Sequence, residues 1–292
     1  MTLAISELAL NASRRTAVKR EGAAGLFAKV VLFMSVTIIG LIVVVAVFAP
    51  WLAPHSPIAL HLLNAYAGPS RRYLLGQDGA GRDVLSRLMY GARLSLLGPT
   101  IVVVMAVTTG VPLGLMAAYS GGWIDGIVSR VFDLIFGFPS LLLAIVIVAT
   151  FGASFYTAVF AVGITYIPLM GRVVRSAGLV ERHKSYVEAC RVQGYGAIRV
   201  IGVHIAPSIA RVVITQTTLY FAYALLDLAA LSFLGLGVQA PQIDWGGMLE
   251  NANQGVFESP TGVIAPAVAI VLLVVSLNLF ADWFADRASG SQ

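Results

Sequence analysis

The chain has 292 residues, of which 58% are hydrophobic and only 11% charged, against about 25% charged in soluble domains. Its mean hydropathy is +0.87. These values exclude a soluble globular protein and mark an all-α integral membrane protein. The net charge of +5 is no nucleic-acid signal, because most of the basic residues fall in short segments between apolar runs, where they set membrane orientation.

A bilayer core about 30 Å thick needs roughly 20 apolar helical residues. Six stretches qualify, near Val30–Ala49, Leu97–Ala118, Val131–Phe151, Tyr156–Met170, Ile209–Gly237 and Val263–Phe280. Residues 1–29 read as a cytoplasmic tail bearing Arg14, Arg15, Lys19, Arg20 and Lys29. The run after it is too long for a signal peptide, and Pro50 follows the one small-residue cleavage position at Ala49. A basic tail favours a cytoplasmic N-terminus, and six spans return the C-terminus to that side.

Between the first two spans, "APHSPIALHLLNAYAGPSRR" is a loop punctuated by Pro and Gly. "GQDGAGRDVLSRLMYGAR" follows, with Arg82, Arg87 and Arg93 on the face that should be external, partly offset by Asp78 and Asp83. Val84, Leu85, Leu88 and Met89 recur at helical spacing with Arg87 and Tyr90 off the stripe. That pattern fits an amphipathic helix at the membrane surface or the polar start of span two. "GVPLG" (Gly110 to Gly114) and "GLG" (Gly235 to Gly237) read as close helix packing, with a kink at Pro112 as the alternative for the first. Asp133 stands three residues after Arg130, a local pair at the membrane edge.

The loop between spans four and five carries Arg172, Arg175, Arg182, Lys184, Arg191 and Arg199, and should be cytoplasmic. Within it, "YVEACRVQGYGAIRVIGVHIAP" places Glu188, Arg191, Gln193, Arg199 and His204 in a polar island. Glu188, Ala189 and Arg191 suit a short helix that Gly194 ends in a left-handed conformation. Ile198, Ile201 and Ile205 then form one apolar stripe, and Pro207 suits the first turn of span five. The segment reads as a rigid elbow joined directly to a membrane helix, or as a loop that happens to be helical.

Chemistry-bearing patterns are few. Lys19, Lys29 and Lys184 are the only lysines, and none follows a phosphate-binding glycine loop. The single Cys190 excludes an internal disulfide and a multi-cysteine metal site, and reads as a small residue on a packed face. Of His55, His61, His183 and His204, only the last two share the later polar loop. No catalytic residue, metal site or cofactor is assigned to this chain. Asp227, in "YFAYALLDLAALSFLGLG", is the ionisable residue inside a span. It either lines a translocation path or makes a structural hydrogen bond to another helix.

Glu188-Ala189-Cys190, then Gly194, then Pro207 thirteen residues later, resembles the Glu-Ala-Ala loop of permease subunits of ATP-binding-cassette importers. Cys190 stands where the second alanine is usual. "LLGQDGAGRDVLSRLMYGARLSLLG", "GGWIDGIVSRVFDLIFGFPSLLLAI", "ALSFLGLGVQAPQIDWGGML" and "VVSLNLFADWFAD" narrow the resemblance to the dipeptide/oligopeptide/nickel branch and its C-type permease. One departure is that the acid usual just before "AALSF" is Leu228 here, with Asp227 one position earlier, about 100° round a helix.

The resemblance implies a transmembrane permease domain over residues 30–292 with a coupling loop at about 171–208, in a bacterial cell membrane. Glu188, Ala189, Arg191, Gly194 and Pro207 would couple it to an ATPase, and Asp227 would be a possible path residue. It also implies a heterodimer with a homologous second permease, two ATPase subunits or domains that carry ATP and Mg, and an extracytoplasmic solute-binding protein. Di- or oligopeptides would be the solutes, with nickel and glutathione as alternatives. A stand-alone secondary transporter or channel would leave the elbow unexplained. A membrane-embedded enzyme would need a cluster of His, Cys, Ser or paired carboxylates.

Overall fold

The computed structural model describes residues 29–289. The basic tail with Arg14, Arg15, Lys19 and Arg20 lies outside them. We number the helices α1 (Lys29–Leu52), α2 (Val84–Ser120), α3 (Gly122–Phe136), α4 (Ser140–Phe151), α5 (Phe155–Arg182), α6 (Ser185–Val192), α7 (Ala197–Phe233), α8 (Trp245–Asn253) and α9 (Thr261–Ser289). Five of them are long and apolar enough to cross a membrane, and α3 with α4 makes a sixth if that bent pair is one span.

Helix α5 lies centrally, touching α2, α3, α4 and α7, while α9 packs on α7 and α8. Two apolar clusters result. One joins α2, α4, α5 and α7 around Val102, Val148, Val162, Met170 and Leu231, and the other joins α1, α2, α7, α8 and α9 around Ala46, Trp245, Leu225 and Leu273. Large apolar side chains such as Phe33, Leu41, Leu142, Val146 and Phe160 are exposed, as expected where lipid rather than water is the solvent.

Close approach of α2 and α5 depends on the glycines of "GVPLG". A Cβ on Gly110 would lie 2.6 Å from the Ile167 carbonyl oxygen, and one on Gly114 would lie 2.5 Å from that of Gly171. Pro112, where the alternative reading put a kink, lies within the continuous helix α2. Residues Ala106–Gly110 form a π-helical turn just before Pro112, and Val200–Ile205 form another just before Pro207. A widened turn accommodates a ring that would otherwise meet the preceding carbonyl.

Several sequence expectations change. Span two and the amphipathic segment before it are one continuous helix from Val84. Arg87 is not off its buried stripe but is itself buried, its charge met by Asp78 at 3.3 Å. Span three bends by 80° between α3 and α4, at Gly137-Phe138-Pro139. Span four extends twelve residues beyond Met170, because its arginines find partners on α3. Arg175 holds Asp125, and Arg172 holds Asp133 while its guanidinium lies 3.8 Å from the centre of the Phe136 ring. The ion pair of Asp133 is thus with Arg172, not with Arg130. Of "GLG", Gly235 makes a left-handed turn with φ 72° rather than a helix contact, and a Cβ on Gly237 would meet Ser232.

Candidate functional site

The polar island forms a short helix, a corner and the start of a long helix. α6 runs from Ser185 to Val192 and buries Val187 and Cys190, so the single cysteine is the packed small residue expected of it. Three residues apart, these two share one face. Glu188, Ala189, Arg191 and Val192 are exposed on the other faces.

The corner is a hydrogen-bonded helix stop. Gly194 has φ 78°. Its N–H donates to the Arg191 carbonyl at 3.0 Å, and the Tyr195 N–H donates to the Cys190 carbonyl at 3.0 Å. Together these bonds make a Schellman motif, which satisfies carbonyls that the helix end would leave open. No atom lies within 4 Å of where a Cβ on Gly194 would be. Backbone conformation alone therefore selects glycine here.

Both ends of the segment are anchored. At the α5 junction Lys184 Nζ donates to Glu181 Oε1 at 2.6 Å, and the Tyr186 hydroxyl donates to Glu181 Oε2 at 2.7 Å. The Glu181 hydrogen bond holds the Lys184 ammonium above its ordinary pKa, and burial holds the Tyr186 phenol above its own. Beyond the corner, Tyr195 stacks parallel to His204, with ring centres 6.3 Å apart. The Arg199 guanidinium lies 4.4 Å from the centre of the Tyr195 ring, and that of Arg191 lies 4.9 Å from the centre of the Tyr119 ring at the end of α2.

Pro207 stands in the first turn of the regular α-helix Ala206–Phe233, as expected. It sits within α7, which is continuous from Ala197 to Phe233. The amphipathic piece and the span are one rod with a π-helical turn in it, so a displacement at the Gly194 corner enters the membrane helix directly. That turn also breaks the expected stripe. Ile205 is buried, Ile201 is half-buried, and Ile198 is 90% exposed. With Val192 at 89%, Ile198 leaves an exposed apolar side chain on each side of the glycine.

Asp227 lies far along α7, half-buried. The Tyr166 hydroxyl of α5 donates to its Oδ2 at 2.9 Å. Tyr166 meets Tyr220 edge to face with centroids 5.7 Å apart, and the Tyr220 hydroxyl donates to the Leu169 carbonyl. Leu228, at the place of the usual acid, is packed toward α2, where its Cδ1 would be 2.8 Å from a Cβ on Gly98. The structure thus separates Asp227 from the α6 group: one site is a surface, the other a hydrogen-bonded column between two spans. Among the described residues no group of three or more His, Cys, Asp or Glu could hold a metal ion.

Residues 110–290 match the family model described as the binding-protein-dependent transport system inner membrane component. The chain belongs to this family. Among similar proteins is the dipeptide transport system permease protein DppC of Escherichia coli, 44% identical over 85% of this chain and 87% of its own length. DppC of Alkalihalophilus pseudofirmus is 41% identical over 85% and 84%. The glutathione transport system permease protein GsiD of Pectobacterium atrosepticum is 36% identical over 84% and 82%. The α6 corner and Asp227 both fall inside the stretch this inner-membrane-component family model matches.

Sequence reasoning missed Glu181, Tyr186 and Val192. Val192 was within reach, since it stands one turn after Glu188 and shares its face. The Glu181 bonds to Lys184 and Tyr186 required knowing where α5 ends and α6 begins.

Proposed function

We propose that this chain is the permease subunit of an ATP-driven importer, forming half of the translocation path, and that α6 with the Gly194 corner is its docking surface for a cytoplasmic ATPase subunit. The observation that carries this reading is the two-faced helix. Its inner face is buried in the bundle, both ends are anchored, and Glu188, Ala189, Arg191 and Val192 are left open on the other side. An ordinary solvated loop needs neither the anchoring nor the exposed apolar pair Val192 and Ile198.

The working assembly contains a homologous second permease, two ATPase subunits holding ATP and Mg, and an extracytoplasmic solute-binding protein, in a bacterial cell membrane. Glu188 and Arg191 offer charged contacts to the ATPase, Gly194 holds the corner, and Pro207 with its preceding π-helical turn lets α7 move as the ATPases close. Small peptides are the solutes best supported, since dipeptide and glutathione systems both stand among the relatives. Asp227 serves as a structural acceptor for Tyr166, which the 2.9 Å bond supports.

The test is site-specific labelling combined with copurification. In a Cys190→Ala background, cysteine at Ser185 should label from the cytoplasmic side only and cysteine at Ser70 from outside only. The full chain should bring down an ATPase subunit. Cytoplasmic labelling at Ser70, or a complex without ATPase, would overturn the reading.

A further inference from the structure

A groove of about 620 Å³ opens between α1, α2, α7 and α9. Its walls are mostly apolar and include Ile39, Val43 and Val47 of α1, Leu97 and Thr100 of α2, and Leu273 and Leu277 of α9. One charged side chain borders it, Arg93 of α2. The neighbouring arginines Arg82 and Arg87 both pair with Asp78. Arg93 is exposed and has no carboxylate partner among the described residues.

Depth along the membrane follows from the helix. The Ser120 end of α2 lies beside the docking segment, where Arg182 donates to the Ala118 carbonyl and Arg191 covers Tyr119. About 40 Å of helix separates that end from Arg93, at about 1.5 Å per residue. A hydrocarbon core about 30 Å thick fits between them, which puts Arg93 among headgroups of the leaflet remote from α6. Trp51, 78% exposed at the adjoining end of α1, suits the same interfacial level. From Val47 to Ile39 the α1 wall descends about 12 Å, close to one half of the hydrocarbon core.

We infer that this groove is a binding site for an anionic phospholipid of that leaflet, with its phosphate at Arg93 and one acyl chain lying between α1 and α9. The complementarity is of charge and polarity together: Arg93, without a carboxylate partner among the described residues, stands at headgroup depth above a slot lined by apolar side chains and Thr100. The volume lies in the range of small-ligand sites, about 300–1,000 Å³. A second transmembrane helix, about 10–12 Å across, is the competing occupant. This inference requires only that the chain spans the membrane and is independent of the ATPase docking.

The experiment places the intact importer complex in phosphatidylcholine nanodiscs containing a minor fraction of phosphatidylglycerol. Retained lipid is then measured by mass spectrometry after transfer to detergent. The wild type should retain phosphatidylglycerol. Arg93→Gln should cut retention about fivefold, the worth of one interfacial cation, and Arg93→Lys should keep most of it. Leu97→Trp should expel the lipid by filling the slot while leaving the charge, which guards against a folding effect at Arg93. ATPase copurification should stay normal in all three variants, so failure here is separable from failure of the docking reading. Equal retention in the wild type, Arg93→Gln and Leu97→Trp would overturn the site. So would a photocrosslinker at Val43 that captures the second permease instead of lipid.

Discussion

Replacing Gly194 tests the corner without touching its surroundings. At φ 78°, with nothing within 4 Å of a new Cβ, a substitution there adds backbone strain and no collision. A residue with a Cβ pays about 1–2 kcal/mol in this region, and a β-branched one pays more. What holds the corner is the Schellman pair, Gly194 to Arg191 and Tyr195 to Cys190, at about 1 kcal/mol net per bond. Alanine strain is therefore outweighed and the corner persists in most molecules. Valine strain matches or exceeds the two bonds, and the corner opens. Asparagine, which tolerates the left-handed region, should be nearly silent. When the corner opens, α6 tilts and carries Glu188 and Arg191 out of place, while α5 and α7 insert as before. The expected order of coupling is Asn above Ala above Val. Membrane abundance should be normal throughout, and ATPase retention and solute-stimulated ATP hydrolysis should be lost only for Val. Glu188→Ala, which deletes one exposed contact and keeps the corner, should weaken coupling less than Gly194→Val. Normal coupling in Gly194→Val, or a loss in Asn as deep as in Val, would refute the conformational argument.

Asp227→Asn keeps an acceptor for the Tyr166 hydroxyl and should leave both uptake and assembly near wild type. Asp227→Leu strands a hydroxyl on a residue only 3% exposed, at a cost of about 1–3 kcal/mol, and should lower the amount of assembled complex. Uptake lost in Asp227→Asn with assembly intact would instead make the carboxylate a path residue. Gly114→Ala puts a Cβ 2.5 Å from the Gly171 carbonyl oxygen. It should lower the thermal midpoint of the purified complex, since overpacking costs about 1–3 kcal/mol. Gly126→Ala in α3, with no atom within 4 Å of the added Cβ, is the control and should not lower it; equal loss in both would sink the α2–α5 contact argument.

Much of this molecule is local and therefore legible along the chain. Hydropathy located the spans because each must satisfy its own backbone inside lipid, leaving only long apolar helices. Gly194 could be read as a corner because a glycine after a short polar helix has one common use. The small residues of "GVPLG" announced a close helix contact, although not that its other side is Ile167 and Gly171.

Tertiary structure decided whatever depends on a partner distant in sequence. Arg130 stands near Asp133 in the chain, but α5 runs alongside α3 and brings Arg172 to it. Arg87 looked like a solvent-facing charge until Asp78 was folded back against it. Ile198 has the spacing of a buried residue, but the π-helical turn before Pro207 shifts the register, leaving it exposed while Ile205 is buried. The sequence offered a structural hydrogen bond and a path lining for Asp227, and only the packing of α5 on α7 supplied the Tyr166 hydroxyl. Periodicity and composition depend on neighbours along one helix, whereas a charge or hydroxyl buried between helices takes its partner from their crossing, which no single segment encodes.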